Sequence, residues 1–192
     1  MTQPKGSEAE KQEPTDSELV TLAVDGNPHA FRLLVERHYM MMYKVAYKWC
    51  GVREDAEDIA QNASIKLARG LESYRHDAPF TTWLYRLVIN TAKDYFRSRN
   101  RDYAREKPME AAPQGATDGI DPENHAIAAE MLQMVADLPE KLKEAVVLVF
   151  CEGLSHSDAA EILDCKEATI SWRIHEARKI LNETLDKERR HG

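Results

Sequence analysis

Nowhere along this sequence do about 18 uncharged apolar residues run together, so no membrane-crossing helix is expected. Cysteine is scarce: Cys50, Cys151 and Cys165 are odd in number and unevenly spaced. That argues against a disulfide framework and for reduced thiols in a cytoplasmic protein. No Cys-x-x-Cys or His-x-x-x-His pair stands among them and the seven histidines, so neither a metal site nor a cofactor is expected. The stretch MTQPKGSEAEKQEPTDSE lacks an apolar centre, which predicts no secretory signal. No convergent set of nucleophile, acid and base is visible, so no enzymatic activity is expected. Strand-like alternation and internal repeats are missing too.

Positive charge is also in deficit. The chain carries 26 basic against 33 acidic side chains, a net charge of −7, which at first sight excludes a polyanion as partner. The distribution reverses that conclusion. Residues 1–18 carry −3 and residues 104–140 carry −6, so the rest of the chain is weakly positive at +2. Residues 83–101 alone hold five bases and one acid. The acidity is concentrated in segments that read as tail and linker, and local basic faces remain free to meet phosphate.

What is present is helical periodicity. With 43% hydrophobic residues the chain has the material for folded cores. Asp16 to Val24 reads as a first helix, broken by Gly26-Asn27-Pro28; Pro28 can open the next, with apolar residues at Phe31, Leu34, Val35, Tyr39, Met42, Val45 and Ala46. Gly51 sits where a helix C-cap belongs. REDAEDIAQNASIKLARGLESY follows with acids in its first turn, where the helix dipole favours them. After Asp77-Ala78-Pro79 a long helix is expected from Phe80 to Arg101. AREKPMEAAPQGATDGIDPE, with three prolines and two glycines, reads as a flexible acidic linker. The expectation is an all-α chain of two small helical domains: a disordered tail over 1–15, a first domain over 16–103, a linker over 104–123 and a second domain over 124–188.

Two constellations bear on function. In the second domain, Ser155-x-x-Asp158 reads as a capping-box start for a short helix over Asp158 to Leu163, and Asp164 tolerates the left-handed backbone of a tight helix connection. Ile170, Ile174, Ala177 and Leu181 then give the next helix an inward face. Thr169, Ser171, Trp172, Arg173, His175 and Glu176 are left largely outward. This is the pattern of a helix-turn-helix, whose second helix reads base edges in the major groove. A plain helical hairpin with a solvated polar face fits the spacing as well, but a tryptophan on that face calls for a contact.

The other constellation is DAPFTTWLYRLVINTAKDYFRSRNR, residues 77–101. Phe80, Leu84, Leu87, Thr91 and Tyr95 form one stripe; Trp83, Arg86, Asn90, Lys93 and Arg97 form another, with an aromatic plane, an amide and three cations. Such a face suits single-stranded nucleic acid, where cations follow phosphates and aromatics meet unstacked bases. The plainer alternative is a solvated basic face with Trp83 in the core.

These residues carry a resemblance. DAEDIAQNASIKLARGLESYRHDAPFTTWLYRLVINTAKDYFRSR is similar to the second conserved region of bacterial extracytoplasmic-function sigma factors. LPEKLKEAVVLVFCEGLSHSDAAEILDCKEATISWRIHEARKIL resembles their fourth. Together with the helices before them the two blocks span Asp16 to Leu185, nearly the whole chain.

The resemblance implies a transcription initiation factor that binds core RNA polymerase and promoter DNA and is held in check by an anti-sigma factor. It implies polymerase contacts at Asp55, Asp58, Gln61 and Asn62, although the family usually has an acid at the last position. It places Arg75, Phe80, Trp83, Arg86, Asn90, Lys93 and Arg97 on melted minus-ten DNA. Thr169, Ser171, Trp172, Arg173, His175, Glu176 and Arg178 fall on duplex minus-thirty-five DNA, Arg173 and Arg178 as phosphate anchors. Ala168, Ser171, Trp172 and Glu176 depart from the glycine and arginines usual in that helix. The competing reading is a stand-alone helix-turn-helix regulator, which would need a dimer seam that the sequence does not display.

Overall fold

A computed structural model describes residues 13–103 and 122–191. Among these residues there are eight α-helices, one 3-10 turn and one π-helical turn, and no strand. The first domain comprises α1 (Asp16–Val24), α2 (Pro28–Cys50), α3 (Arg53–Gly70), the 3-10 turn Leu71–Ser73 and α4 (Phe80–Tyr103). The second comprises α5 (Pro122–Ala136), α6 (Glu140–Val146), the π-helical turn Val147–Cys151, α7 (His156–Ile162) and α8 (Glu167–His191).

The helix boundaries follow from local chemistry. Thr15 and Glu18 form a reciprocal capping box at the start of α1. The Asn27 side chain accepts from the amides of His29 and Ala30, and Pro28 fills the first helical position of α2. Gly51 ends α2 in the left-handed region at φ 71°, with its amide donating to the Tyr47 carbonyl at 2.7 Å. Arg37 binds Asp16 and donates to the carbonyl of Pro14, His38 reaches Asp16 at 2.8 Å, and Thr15 caps α1, so Pro14 and Thr15, expected in the tail, are held against the first domain; the rest of the expected tail, save Glu13, lies outside the described residues. The expected acidic linker lies almost wholly outside the described residues; α5 begins at Pro122, two residues inside its expected end.

α2, α3 and α4 pack around Leu34, Met42, Ile59, Leu67, Leu84 and Ile89, all almost fully buried. The inward face of α4 is wider than one stripe. Val88, Ile89 and Ala92 are buried beside Phe80, Leu84 and Thr91, while Leu87 and Tyr95 are half-buried. The second core gathers Leu142, Val147, Leu148, Ile162, Ile170 and Ala177. The domains also touch each other: α2 lies against α5 and the π-helical turn, and α4 lies against α7.

Each large aliphatic in these cores contributes about 1.5–3 kcal/mol by leaving water. Leu84 has no exposed surface. Leu84→Ala is expected to cost about 2–5 kcal/mol, transfer and cavity together, measured as the loss of unfolding free energy in urea.

Candidate nucleic-acid and partner interfaces

The loop before α4 is built by aromatic rings. Tyr74 donates from its hydroxyl to the carbonyl of Ala78 at 2.6 Å, and His76 takes a left-handed backbone at φ 58°. The rings of Tyr74, Phe80 and Trp83 lie 5.5–5.8 Å apart, with Phe80 and Trp83 stacked at 28°. Beside them opens a cavity of about 290 Å³ lined by Tyr74, Arg75, Asp77, Trp83 and Arg86 and by Glu161 from the second domain. Its wall has a ring face, hydrogen-bonding groups and two cations, which suits a base taken out of its stack with its phosphate nearby.

The seven residues expected along this face divide three ways. Arg75, Asn90 and Arg97 are exposed, Arg97 with a loose contact to Asp94 at 3.4 Å. Phe80 is buried and Trp83 half-buried, so Phe80 supports the cavity from behind rather than presenting its ring. Arg86 and Lys93 are already engaged. Arg86 donates to the carbonyls of Ile162 at 2.8 Å and Glu161 at 2.6 Å. Lys93 pairs with Glu144 at 2.8 Å and Glu140 at 3.4 Å. Burial acts to lower the pKa of Lys93, but the carboxylates of Glu144 and Glu140 together outweigh it and raise it.

Between α2 and α3, Asp58 and Gln61 line an open groove with Val35, Tyr39, Met40 and Tyr43. Asn62 is exposed nearby on α3. Asp55 differs from the other three acidic or amide candidates. It is turned inward, accepting from the Tyr95 hydroxyl at 2.9 Å and from Arg99 at 2.6 Å on both oxygens. In this arrangement it ties α3 to α4, and burial followed by the hydrogen bond to Asp55 pushes the Tyr95 phenol up. Tyr39, expected on the inward face of α2, is 39% exposed, and Met40 is 56% exposed. The sequence held a signal for this: of three consecutive methionines at 40–42, a helix can bury at most part, and Met42 is the buried one.

In the second domain Ser155 and Asp158 close the expected capping box, and α7 begins at His156, two residues before its predicted start. Asp164 adopts φ 50°, and the amides of Asp164 and Cys165 return to the carbonyls of Glu161 and Ala160, a Schellman-type ending that turns the chain into α8. Ile170, Ile174 and Ala177 are buried as expected. Ser171, Trp172, His175 and Arg178 are exposed, with Trp172 showing 60% of its surface; Thr169 and Glu176 are half-buried. Ser171 meets the ring of His156 at 3.0 Å, and Arg178 lies over the half-exposed ring of Phe150 at 5.0 Å. Arg173 is the correction here. Instead of facing outward as a phosphate anchor it points inward at Glu144, 3.5 Å away, and its buried Nη1 makes no hydrogen bond. The missed residue is Glu144 itself, 1% exposed and ringed by Lys93, Lys141 and Arg173. Its place two residues before the apolar run Val146–Phe150 was the available sign.

All three cysteines are free thiols, and burial pushes Cys50 up to about 11. Among the described residues no three His, Cys, Asp or Glu side chains gather closely enough to hold a metal, and no helix is long and apolar enough to cross a membrane.

Comparison with known proteins places both domains. The Sigma-70 region 2 family matches residues 34–102, and the Sigma-70 region 4 family matches residues 128–181. The extracytoplasmic-function (ECF) RNA polymerase sigma-E factor of Haemophilus influenzae is 35% identical over 181 residues, covering 89% of this chain and 95% of that protein. The RNA polymerase sigma-H factor of Pseudomonas aeruginosa is 33% identical, covering 88% and 93%. Among solved structures, CnrH in complex with the cytosolic domain of CnrY superposes with a TM-score of 0.66 at 24% identity, over 90% of this chain and 97% of that one. The sigma factor RpoE from Bartonella quintana, bound to the anti-sigma factor NepR, gives 0.64 at 23%, over 81% and 96%. At those identities the structural likeness concerns the fold.

Because Trp172 stands largely clear of the core, Trp172→Ala is expected to leave the thermal midpoint nearly unchanged. If α8 is a recognition helix, the same change weakens binding to duplex fragments that carry the cognate site by about tenfold, the size of one lost base contact. Melting curves and titration of labelled duplex measure the two effects separately.

Proposed function

The chain belongs to the extracytoplasmic-function sigma factors of the sigma-70 family, and from that premise we propose a division of labour among its surfaces. It is an alternative sigma factor: it binds core RNA polymerase and directs it to specific promoters, reading melted minus-ten DNA with the first domain and duplex minus-thirty-five DNA with the second. Its partners are core polymerase, promoter DNA and an anti-sigma factor. Sigma factors are initiation factors rather than enzymes; that this chain catalyses nothing of its own and works in the cytoplasm are parts of the proposal.

The observation that carries the assignment of residues is the cavity beside Trp83. In our reading an extruded base enters it against Tyr74 and Trp83, Arg75 holds an adjoining phosphate, and Asn90 contacts the strand one helical turn and more along α4. The unstacking cost of a few kcal/mol is offset by ring contact and by phosphate neutralisation. Between α2 and α3, the groove of Tyr39, Met40, Tyr43, Asp58 and Gln61 is the polymerase-docking surface: exposed apolar side chains beside acids are what a basic, partly apolar partner helix would cover. In α8, Trp172, His175 and Ser171 are the outward residues assigned to base edges, with Arg178 as the phosphate anchor.

The test is transcription in vitro with purified core polymerase on genomic fragments, with RNA starts mapped. Discrete starts that require the chain are expected; tight DNA binding without polymerase and without starts would favour a stand-alone regulator. Asn90→Ala is expected to lower open-complex formation by about tenfold while leaving core binding intact, since the residue does not line the α2–α3 groove. Normal permanganate reactivity of the melted strand in that variant would remove Asn90 from the strand-contacting set.

A further inference from the structure

Ser171, the fifth residue of α8, is exposed on the face assigned to base edges, yet its hydroxyl is not free to turn. On one side it meets Nδ1 of His156, from the first turn of α7, at 3.0 Å. On the other it lies 3.3 Å from the carbonyl of Glu167, one helical turn back along α8. A hydroxyl has one hydrogen to give and two lone pairs to accept with. Where the His156 nitrogen is bare, it accepts from Ser171. Where that nitrogen carries a hydrogen, it donates to Ser171, whose own hydrogen then goes back to the Glu167 carbonyl. Either way the hydrogen of Ser171 stays inside the protein, and a lone pair is what remains to face outward.

We propose that Ser171 reads duplex DNA as an acceptor only, polarised by His156, and so selects adenine or cytosine on the strand it faces. The inference rests on the assignment of α8 as the minus-thirty-five recognition helix and names the chemistry that one of its positions reads. At corresponding points in the major groove, adenine and cytosine present an amino group, whereas guanine and thymine present a carbonyl oxygen. An outward lone pair accepts from the amino group and is repelled by the oxygen. A serine is ordinarily indifferent between these edges, because its hydroxyl can rotate to donate or to accept. The contact from α7 removes that freedom, so the helix that supports α8 also sets what α8 reads. A side chain that only donates, such as arginine, would select the opposite bases. His156 acts through Ser171 and is a positioning residue. It is half-buried and Ser171 is exposed, so neither is needed to close the second core.

Transcription by holoenzyme, assembled from core polymerase and the full-length chain, on promoters randomised across the duplex upstream element gives the base preference at every position. The wild type is compared with Ser171→Ala and with His156→Phe, which keeps a ring but has no nitrogen. The position that Ser171 reads is the one whose preference Ser171→Ala flattens. There the wild type is expected to favour adenine or cytosine over guanine and thymine by about fivefold, the size of one neutral hydrogen bond. His156→Phe is expected to narrow that gap to about twofold by admitting guanine and thymine, with other positions unchanged, since the Glu167 carbonyl alone holds the hydroxyl loosely. Removing only the amino group, with purine in place of adenine or 2-pyrimidinone in place of cytosine, is expected to cost the wild type the same factor and Ser171→Ala little. A wild-type preference for guanine or thymine there, no position altered by Ser171→Ala, or a His156→Phe profile identical to wild type would overturn the proposal and leave α8 as the reading helix. A wild type that initiates without preference anywhere in the element would instead count against α8 as that helix, and sink the proposal with it.

Discussion

A single buried carboxylate organises the contact between the two halves of this chain. Glu144 lies almost without solvent, and three cations converge on it: Lys141 from its own helix, Arg173 from α8 and Lys93 from α4. Burying a carboxylate alone would be prohibitive, and burying it with several partners is tolerated only because the charges compensate one another. Removing one partner from such a cluster costs about 3–5 kcal/mol in typical cases, since the remaining charges stay desolvated. The orientation of α8 on α6 and of α6 on α4 is coupled through that one group. It also explains why Arg173 lacks a full set of hydrogen bonds: the shared acceptor has other donors at closer range.

The same economy governs α4. Its apolar side packs into the core, its far end is tied to α3 through Asp55, Tyr95 and Arg99, and its polar side meets α6 and α7 through Lys93 and Arg86. The aromatic cluster of Tyr74, Phe80 and Trp83 makes the loop before it a preformed wall, which lowers the ordering cost of receiving a base. The overall acidity of the chain is compatible with DNA as partner because charge acts locally over a Debye length of about 8–10 Å.

The two recognition surfaces are built by different means. The first domain offers a cavity framed by rings and a loop; the second offers a rigid helix started by a left-handed Asp164 after a capped, two-turn support helix. In each, the presenting residues stand on elements whose opposite faces are buried, which holds them in place.

Much of this was legible in the sequence. Asn27, Gly51, Ser155 and Asp164 mark helix ends by short-range hydrogen bonding and backbone preference, which act within a few residues and are visible in linear order. The buried positions of α8 and the outward Trp172 follow from helical period alone. Direction across space was not legible. Asp55 and Arg173 have the spacing of surface residues, yet each faces inward because a partner from a distant helix, Arg99 with Tyr95 in one case and Glu144 in the other, makes burial of its charge tolerable. Lys93 and Arg86 have the spacing of a DNA face, and only the docking of α6 and α7 decided that in this arrangement they hold protein oxygens instead. Local order is determined by forces that reach three or four residues along the chain; the pairing of charges across domains depends on where the whole chain brings them.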